Sequence, residues 1–376
     1  MISIVMKLAI IVGNGFDSAL GMPTQWRAFR EWVKANENAD YDINGRTIKQ
    51  FYSENKLFKF LSIDAGHEFD YWSDVEGALP KFTDYDKDDA VASLDEFSAW
   101  FENYLNVVES EKTVHLESSA NEEEFKKGLL QIIANGRNLK DDTNVEVTFI
   151  NFNYTSTLDK LLANSFKLNG EAYVMKEHDK VKLNVNDVAT GQWSYHIHGR
   201  LNDESRQVGI DIDNERQLPS LSRIIPESKF ILDRFVKKNA LTFNDAEIIA
   251  LFSKVSSIVD EANYLVTYGW SLGKSDERWV KQIVDRLQRQ NNVEPEKQFN
   301  VDYYVYGDST LFKSGIGIRQ AAYSDAYSKF LSDNDFSGHL HVMFTKKLWK
   351  FPDKWSTNSP EKWIKTRQEK LIDENF

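Results

Sequence analysis

No cysteine occurs among the 376 residues, which excludes disulfides, a thiolate nucleophile and a four-cysteine zinc module. Basic residues are the minority charge, 46 Lys and Arg against 58 Asp and Glu, for a net −12. Such a chain lacks the broad positive footprint that grips a phosphate backbone, so nucleic acid is not an expected partner. No apolar run reaches the length of a membrane span. The opening MISIVMKLAIIVG has neither a basic start nor a small-residue cleavage site. It reads as a buried first strand, and the expectation is a soluble, cytoplasmic protein with no membrane partner. Three local signatures are also missing. GxGxxG fails because Ser18 stands three residues after Gly15, no Gly-Lys-Ser/Thr P-loop follows, and there is no HExxH. No carboxylate spacing calls for the metal cluster of a nuclease.

Hydrophobic residues make up 41% and aromatics 13%, with ten Trp, enough for a ring-rich core. The length suits two domains or one elaborated α/β domain. The stretch Lys7 to Trp26 organises the rest. Leu8 to Val12 read as a buried strand that breaks into Gly13-Asn14-Gly15, a loop small enough for backbone N–H groups to approach an anionic phosphate. Gly21-Met22-Pro23-Thr24 closes the segment, and Thr24 reads as the cap of a helix burying Trp26, Phe29 and Val33. From there to about Gly136 the patterns are helical. The clearest are Asp88 to Val108 and Ser119 to Asn135, the latter opened by a Ser119/Glu122 capping box and closed by Gly136.

Val145 to Phe152 read as a second buried strand, followed by Asn153 and a helix from Ser156 to Asn164. Two readings of Asn153 stand: a helix cap, or a ligand contact at a strand's C-terminal end, where open α/β sheets bind ligands. Alternation through Val181, Leu183, Val185 and then Trp193, Tyr195, Ile197 suggests short strands delivering His196 and His198 on one side of a strand. A metal pair is conceivable there, but no further ligand motif supports it, and no metal is expected. Leu201 to Ala240 read as loop with one or two short helices, Val208 to Asp211 as a short strand, and Phe243 to Asp260 as a helix. Asn263 to Gly269 form a third buried strand running into Trp270 and Ser271. Ser275 reads as the cap of the next helix, with Asp276 and Glu277 at its positive end and Val280, Ile283, Val284 and Leu287 as its buried stripe. Asn300 to Tyr306 and His341 to Phe344 supply further strands. The tail from Lys346, with Trp349, Trp355 and Trp363, reads as a packing arm.

Strands alternating with helices predict an α/β fold: a doubly wound, mostly parallel, Rossmann-like sheet with a helical insertion after the first strand. The division expected is a core of 1–24 and 138–345, an insertion of 25–137 and an arm of 346–376. The glycine- and Asn-bearing turns all follow strands, so they converge on one edge.

The motifs Asn14-Gly15-Phe16-Asp17 and Gly21-Met22-Pro23-Thr24 resemble the opening of the AbiH abortive-infection family. So do Trp72-x-Asp74-x-Glu76, Phe152-Asn153-Tyr154-Thr155 and the ending His196-x-His198-Gly199. Gly13, Gly15, Gly21 and Pro23 are similar to the spacing that opens sirtuins, with Asn14 and Asp17 where sirtuins carry small residues. Gly269, Ser271 and Asp276 match a turn that both families share. Outside the family motifs, Asp74 and Glu76 read as solvated beside a packed Trp72. The resemblance implies a sirtuin-like nucleotide-binding sheet in a protein of bacterial anti-phage defence. The missing zinc cysteines point away from deacylation. It also implies NAD or a related nucleotide as substrate or ligand, and a defence-system or phage protein as partner. By resemblance, Asn153 and His198 are the catalytic candidates, His198 as base at the ribose. Gly13, Asn14, Gly15, Phe16, Asp17, Pro23, Thr24, Gly199, Gly269, Ser271 and Asp276 are the nucleotide-binding candidates. The enzyme reading is cleavage of an N-glycosidic bond, and the alternative is a sensor or toxin subunit that binds nucleotide without turnover.

Overall fold

The computed structural model describes residues 5–62, 75, 78–79, 82, 90–116, 118–135, 144–166, 173–176, 179–184, 192–198, 246–270, 276–292, 298–305, 339–344 and 349. Trp72, Asp74, Glu76, Gly136, Val185, Gly199, Val208 to Asp211, Ser271, Ser275, Tyr306, Trp355 and Trp363 lie outside the described residues, as do the readings placed on 201–240.

In chain order the elements are β1 (Val5–Val12), α1 (Asn14–Ala19), α2 (Trp26–Ala35), β2 (Asp42–Ile43), β3 (Arg46–Thr47), α3 (Ile48–Glu54) and α4 (Lys56–Ser62). Then come α5 (Ala90–Leu116), α6 (Ser119–Asn135), β4 (Asn144–Asn151), α7 (Thr157–Phe166), β5 (Tyr173–Lys176), β6 (Asp179–Asn184) and β7 (Tyr195–His196). The series ends with α8 (Ala246–Glu261), β8 (Tyr264–Tyr268), α9 (Glu277–Gln288), β9 (Asn300–Val305) and β10 (Leu340–Phe344). The chain forms two compact units. One comprises 1–20, 112–206 and 238–353, and the other 21–111, 207–237 and 354–376; the expected boundaries were 24/25 and 137/138.

The first unit holds the sheet, ordered β10-β9-β8-β1-β4-β6-β5, with β7 also paired to β4. Every pairing in it is parallel except β5 with β6. This is the α/β doubly wound sheet that the alternation predicts. β1 is central because its run from Leu8 to Val12 is buried on both faces, as a parallel strand under helices must be. On one face Ala9, Ile11 and Ile150 pack with Val255 and Val259 of α8 and Val280, Ile283 and Val284 of α9. On the other, Phe149 meets Phe125 of α6, which also contacts Phe166 of α7. Side-chain alternation along β4 sends Phe149 and Ile150 to opposite layers.

The second unit is a helical packing of rings. Phe29 packs edge-on to Phe97 and Phe101, and Trp26 stacks on Phe101 with centroids 3.9 Å apart. Burial raises the Tyr104 phenol far above its ordinary range, and its hydroxyl donates to the Pro23 carbonyl. Three sequence expectations change here. The 24–136 region contains a hairpin, β2–β3, turned by Asn44 and Gly45 at φ 54° and 78°, the positive pair that a two-residue turn needs. Gln25, not Thr24, flanks the start of α2. In the first unit, Ser119 is the first residue inside α6 rather than its cap.

Candidate functional site

Parallel register brings Val12, Asn151, His196 and Tyr268 to the same edge. Beyond it, two loops meet through glycine. Gly13 N donates to Tyr268 O at 3.0 Å and Gly15 N to Gly269 O at 2.9 Å. A Cβ on Gly15 would lie 2.5 Å from Gly269 Cα, and Gly269 itself sits at φ 65°. The glycines let one backbone lie on the other. Two of the loop N–H groups considered for a phosphate, those of Gly13 and Gly15, are therefore engaged within the protein, as is Phe16 N, which donates to Gly13 O.

The side chains that follow in α1 turn inward. Phe16 is fully buried, edge-on to Phe125, Tyr268 and Trp349. Asp17 is also fully buried and accepts from Thr155 Oγ1 at 2.8 Å, so its carboxylate ties α1 to the turn after β4. Asn14 O accepts from Ser18 Oγ at 3.0 Å. Pro23 and Thr24 belong to the second unit, where Thr24 N donates to Met22 O.

Asn153 lies four residues before α7, and its amide does not cap that helix. Nδ2 donates to Gly13 O at 3.1 Å, and because a carbonyl can only accept, this bond sets the amide's orientation. Oδ1 then points away and has no donor among the described residues, although Asn153 is only 3% exposed. Buried acceptors are ordinarily paired, so an acceptor in this state marks Asn153 as a candidate ligand contact.

The two histidines separate because β7 ends at His196 and a turn follows. His196 Nε2 lies 2.5 Å from Asp159 Oδ2, and Nδ1 lies 3.2 Å from the Asn153 carbonyl oxygen. Both ring nitrogens of His196 thus have a protein oxygen within hydrogen-bond reach. Asp159 Oδ1 accepts from Trp193 N, Ser194 N and Ser194 Oγ at 2.7, 2.8 and 3.0 Å. This buried pair braces Asn153 from behind.

His198 faces another carboxylate. Nε2 is 3.5 Å from Asp276 Oδ1, while Asp276 Oδ2 accepts from Trp270 Nε1 at 2.8 Å. Asp276 flanks the first turn of α9, where the helix dipole favours negative charge. The rings of Phe152 and Tyr154 lie 5.3 and 6.0 Å from the imidazole. Asn153, His198, Gly13, Gly15, Gly269 and Asp276 thus share one edge, with the positions of Gly199 and Ser271 outside the described residues. Sequence reasoning gave no place at this edge to Asp159, whose partners Trp193, Ser194 and His196 are 34 to 37 residues away, nor to the rings of Phe152 and Trp270, which read as strand and turn residues. Among the described residues, no group of three or more His, Cys, Asp or Glu is placed to hold a metal, and no helix is long and apolar enough to cross a membrane.

Residues 9–294 match the family described as bacteriophage abortive infection AbiH. Comparison with curated proteins gives no match.

Proposed function

The chain belongs to the AbiH family, which supports a role in bacteriophage abortive infection, and from that premise we propose that it hydrolyses the N-glycosidic bond of NAD or a related nucleotide. The observation that carries this reading is the buried Asn153 Oδ1, an acceptor without a donor among the described residues, on the same edge as His198. A ribose hydroxyl or a water supplies the missing donor. His198 is the base: as the C1′–N bond breaks with its electron pair leaving on nicotinamide, a water oxygen bonds to C1′ and its proton passes to the imidazole. Asn153 positions the water or the ribose. The apolar rings of Phe152 and Tyr154 flank the base and favour a dry, low-dielectric setting for the charge that develops.

The fit favours the sugar end of the nucleotide. The Gly13, Gly15 and Phe16 N–H groups already donate within the protein, so a diphosphate would take other donors. The test is incubation of the purified chain with NAD and related nucleotides, with product analysis. Release of nicotinamide is expected from wild type. His198→Ala should lower kcat by about a hundred- to ten-thousandfold, and Asn153→Ala should behave similarly, with nucleotide binding changed much less. Equal turnover by folded wild type and His198→Ala would sink the base assignment. Binding without any turnover in wild type would favour the sensor.

A further inference from the structure

Asn153 Oδ1 has a counterpart on the loop that opens α9. Asp276 Oδ1 also has no hydrogen-bond donor among the described residues, on a residue only 5% exposed. We propose that these two oxygens read a vicinal diol: each accepts from one of the two neighbouring hydroxyls of a ribose, so the site selects ribosides over deoxyribosides. The diol assignment rests on the nucleotide-binding part of the reading above and is independent of turnover.

Both oxygens belong to groups held from their other side. Asn153 Nδ2 donates to Gly13 O at 3.1 Å, and Asp276 Oδ2 accepts from Trp270 Nε1 at 2.8 Å, so in each case Oδ1 is the atom left for a further donor. The two anchors adjoin each other, since a Cβ on Gly13 would lie 2.7 Å from Trp270 Cα. The rings agree with this. Phe152, the residue before Asn153, has its centroid 5.3 Å from both the Trp270 and the His198 rings, and His198 Nε2 is 3.5 Å from Asp276 Oδ1. That last separation is an ion-pair contact without a hydrogen bond, so the imidazole does not satisfy the carboxylate oxygen. The two acceptors therefore sit on one small patch of the edge.

The chemistry of the ligand follows from the pair. A carboxylate oxygen and an amide oxygen both accept only, so the ligand must bring two donors. A diphosphate ester brings none and is repelled by Asp276. Vicinal hydroxyls bring one O–H each, and a carboxylate on a ribose hydroxyl is how dinucleotide-binding sheets commonly hold that sugar. A deoxyribose leaves one acceptor buried without a donor, and a site built for hydroxyls rejects it for that reason.

The experiment is calorimetric titration of the full chain with carbocyclic NAD, in which a methylene replaces the ring oxygen of the nicotinamide ribose, so that both hydroxyls remain and no glycosidic bond is left to hydrolyse. The same compound lacking the 2′- or the 3′-hydroxyl supplies the comparison. Loss of either hydroxyl should weaken wild-type binding by about ten- to a hundredfold. Asp276→Ala should abolish the penalty for one hydroxyl and keep that for the other, and Asn153→Ala should show the opposite pattern, as a double-mutant cycle requires of paired groups. Asp276→Asn keeps the shape and an oxygen for the Trp270 indole; it should shrink the same penalty as Asp276→Ala and serves where the alanine variant does not fold. Equal affinity of wild type for all three compounds, failure of the full compound to bind, or penalties that neither substitution alters overturns the diol reading. Equal affinities alongside nicotinamide release from NAD overturn it and leave hydrolysis standing. The crossed pattern without any release upholds it and overturns hydrolysis instead.

Discussion

Asp159 accepts four hydrogen bonds, from His196, Trp193 and twice from Ser194, in a place with almost no solvent. Removing the carboxylate leaves the Trp193 and Ser194 donors buried without that acceptor. Asp159→Ala should therefore destabilise the first unit by about 1–3 kcal/mol for each donor left unsatisfied, read as a lower urea midpoint; an unchanged midpoint would contradict the bracing role. Gly269 is constrained differently. Its φ of 65° and the 2.5 Å that a Cβ would leave to Gly15 Cα combine backbone strain with a backbone clash. Gly269→Ala should cost at least about 1–3 kcal/mol, and nucleotide binding should fall with it, because the loops carrying Gly13 and Trp270 must part. Stability lost with binding retained would separate the glycine contact from the site.

At the scale of elements, Trp349, a described residue after β10, is a large anchor. Trp349 is buried against Phe16, Phe125 and Tyr268 and donates to Phe125 O at 3.1 Å. Trp349→Ala should cost about 3–5 kcal/mol and expose amides of α1 and α6 to hydrogen exchange; protection unchanged from wild type would contradict the anchoring. In the second unit, α3 opens with a reciprocal cap: Gln50 N donates to Thr47 Oγ1 and Thr47 N to Gln50 Oε1. Thr47→Ala should weaken that helix by about 1 kcal/mol, measured by exchange of its first-turn amides. The sequence contained this signal, Thr-x-x-Gln after Asn-Gly, and the Asn44-Gly45 turn before it. Neither stands out, because a hairpin with two-residue strands leaves no periodic run long enough to be told from helical surroundings.

For the whole molecule, net charge decides one partner class. At −12, the chain should show no association with duplex DNA at about 0.15 M ionic strength, measured by fluorescence anisotropy; tight binding that weakens steeply with salt would contradict it. What the sequence determined by itself is the architecture: long buried strands, helices with apolar stripes and Gly or Asn turns after strands are local patterns. A doubly wound, mostly parallel sheet follows from them, as does the family to which the motifs belong, whereas the strand order with β1 near the middle came from the structure. What only the tertiary structure decided is which partner each site group meets. Strand alternation alone puts His196 and His198 on one side, and only the family motif distinguishes them in sequence. One faces Asp159, 37 residues earlier, and the other Asp276, 78 residues later, because parallel pairing and the start of α9 bring those carboxylates to them. The glycine loop looked like a phosphate cradle for the same reason: sequence shows that N–H groups can be approached closely, but not that another backbone, at Gly269, is what approaches. Hydrogen bonds between residues distant in the chain depend on three-dimensional closure, which no local propensity encodes.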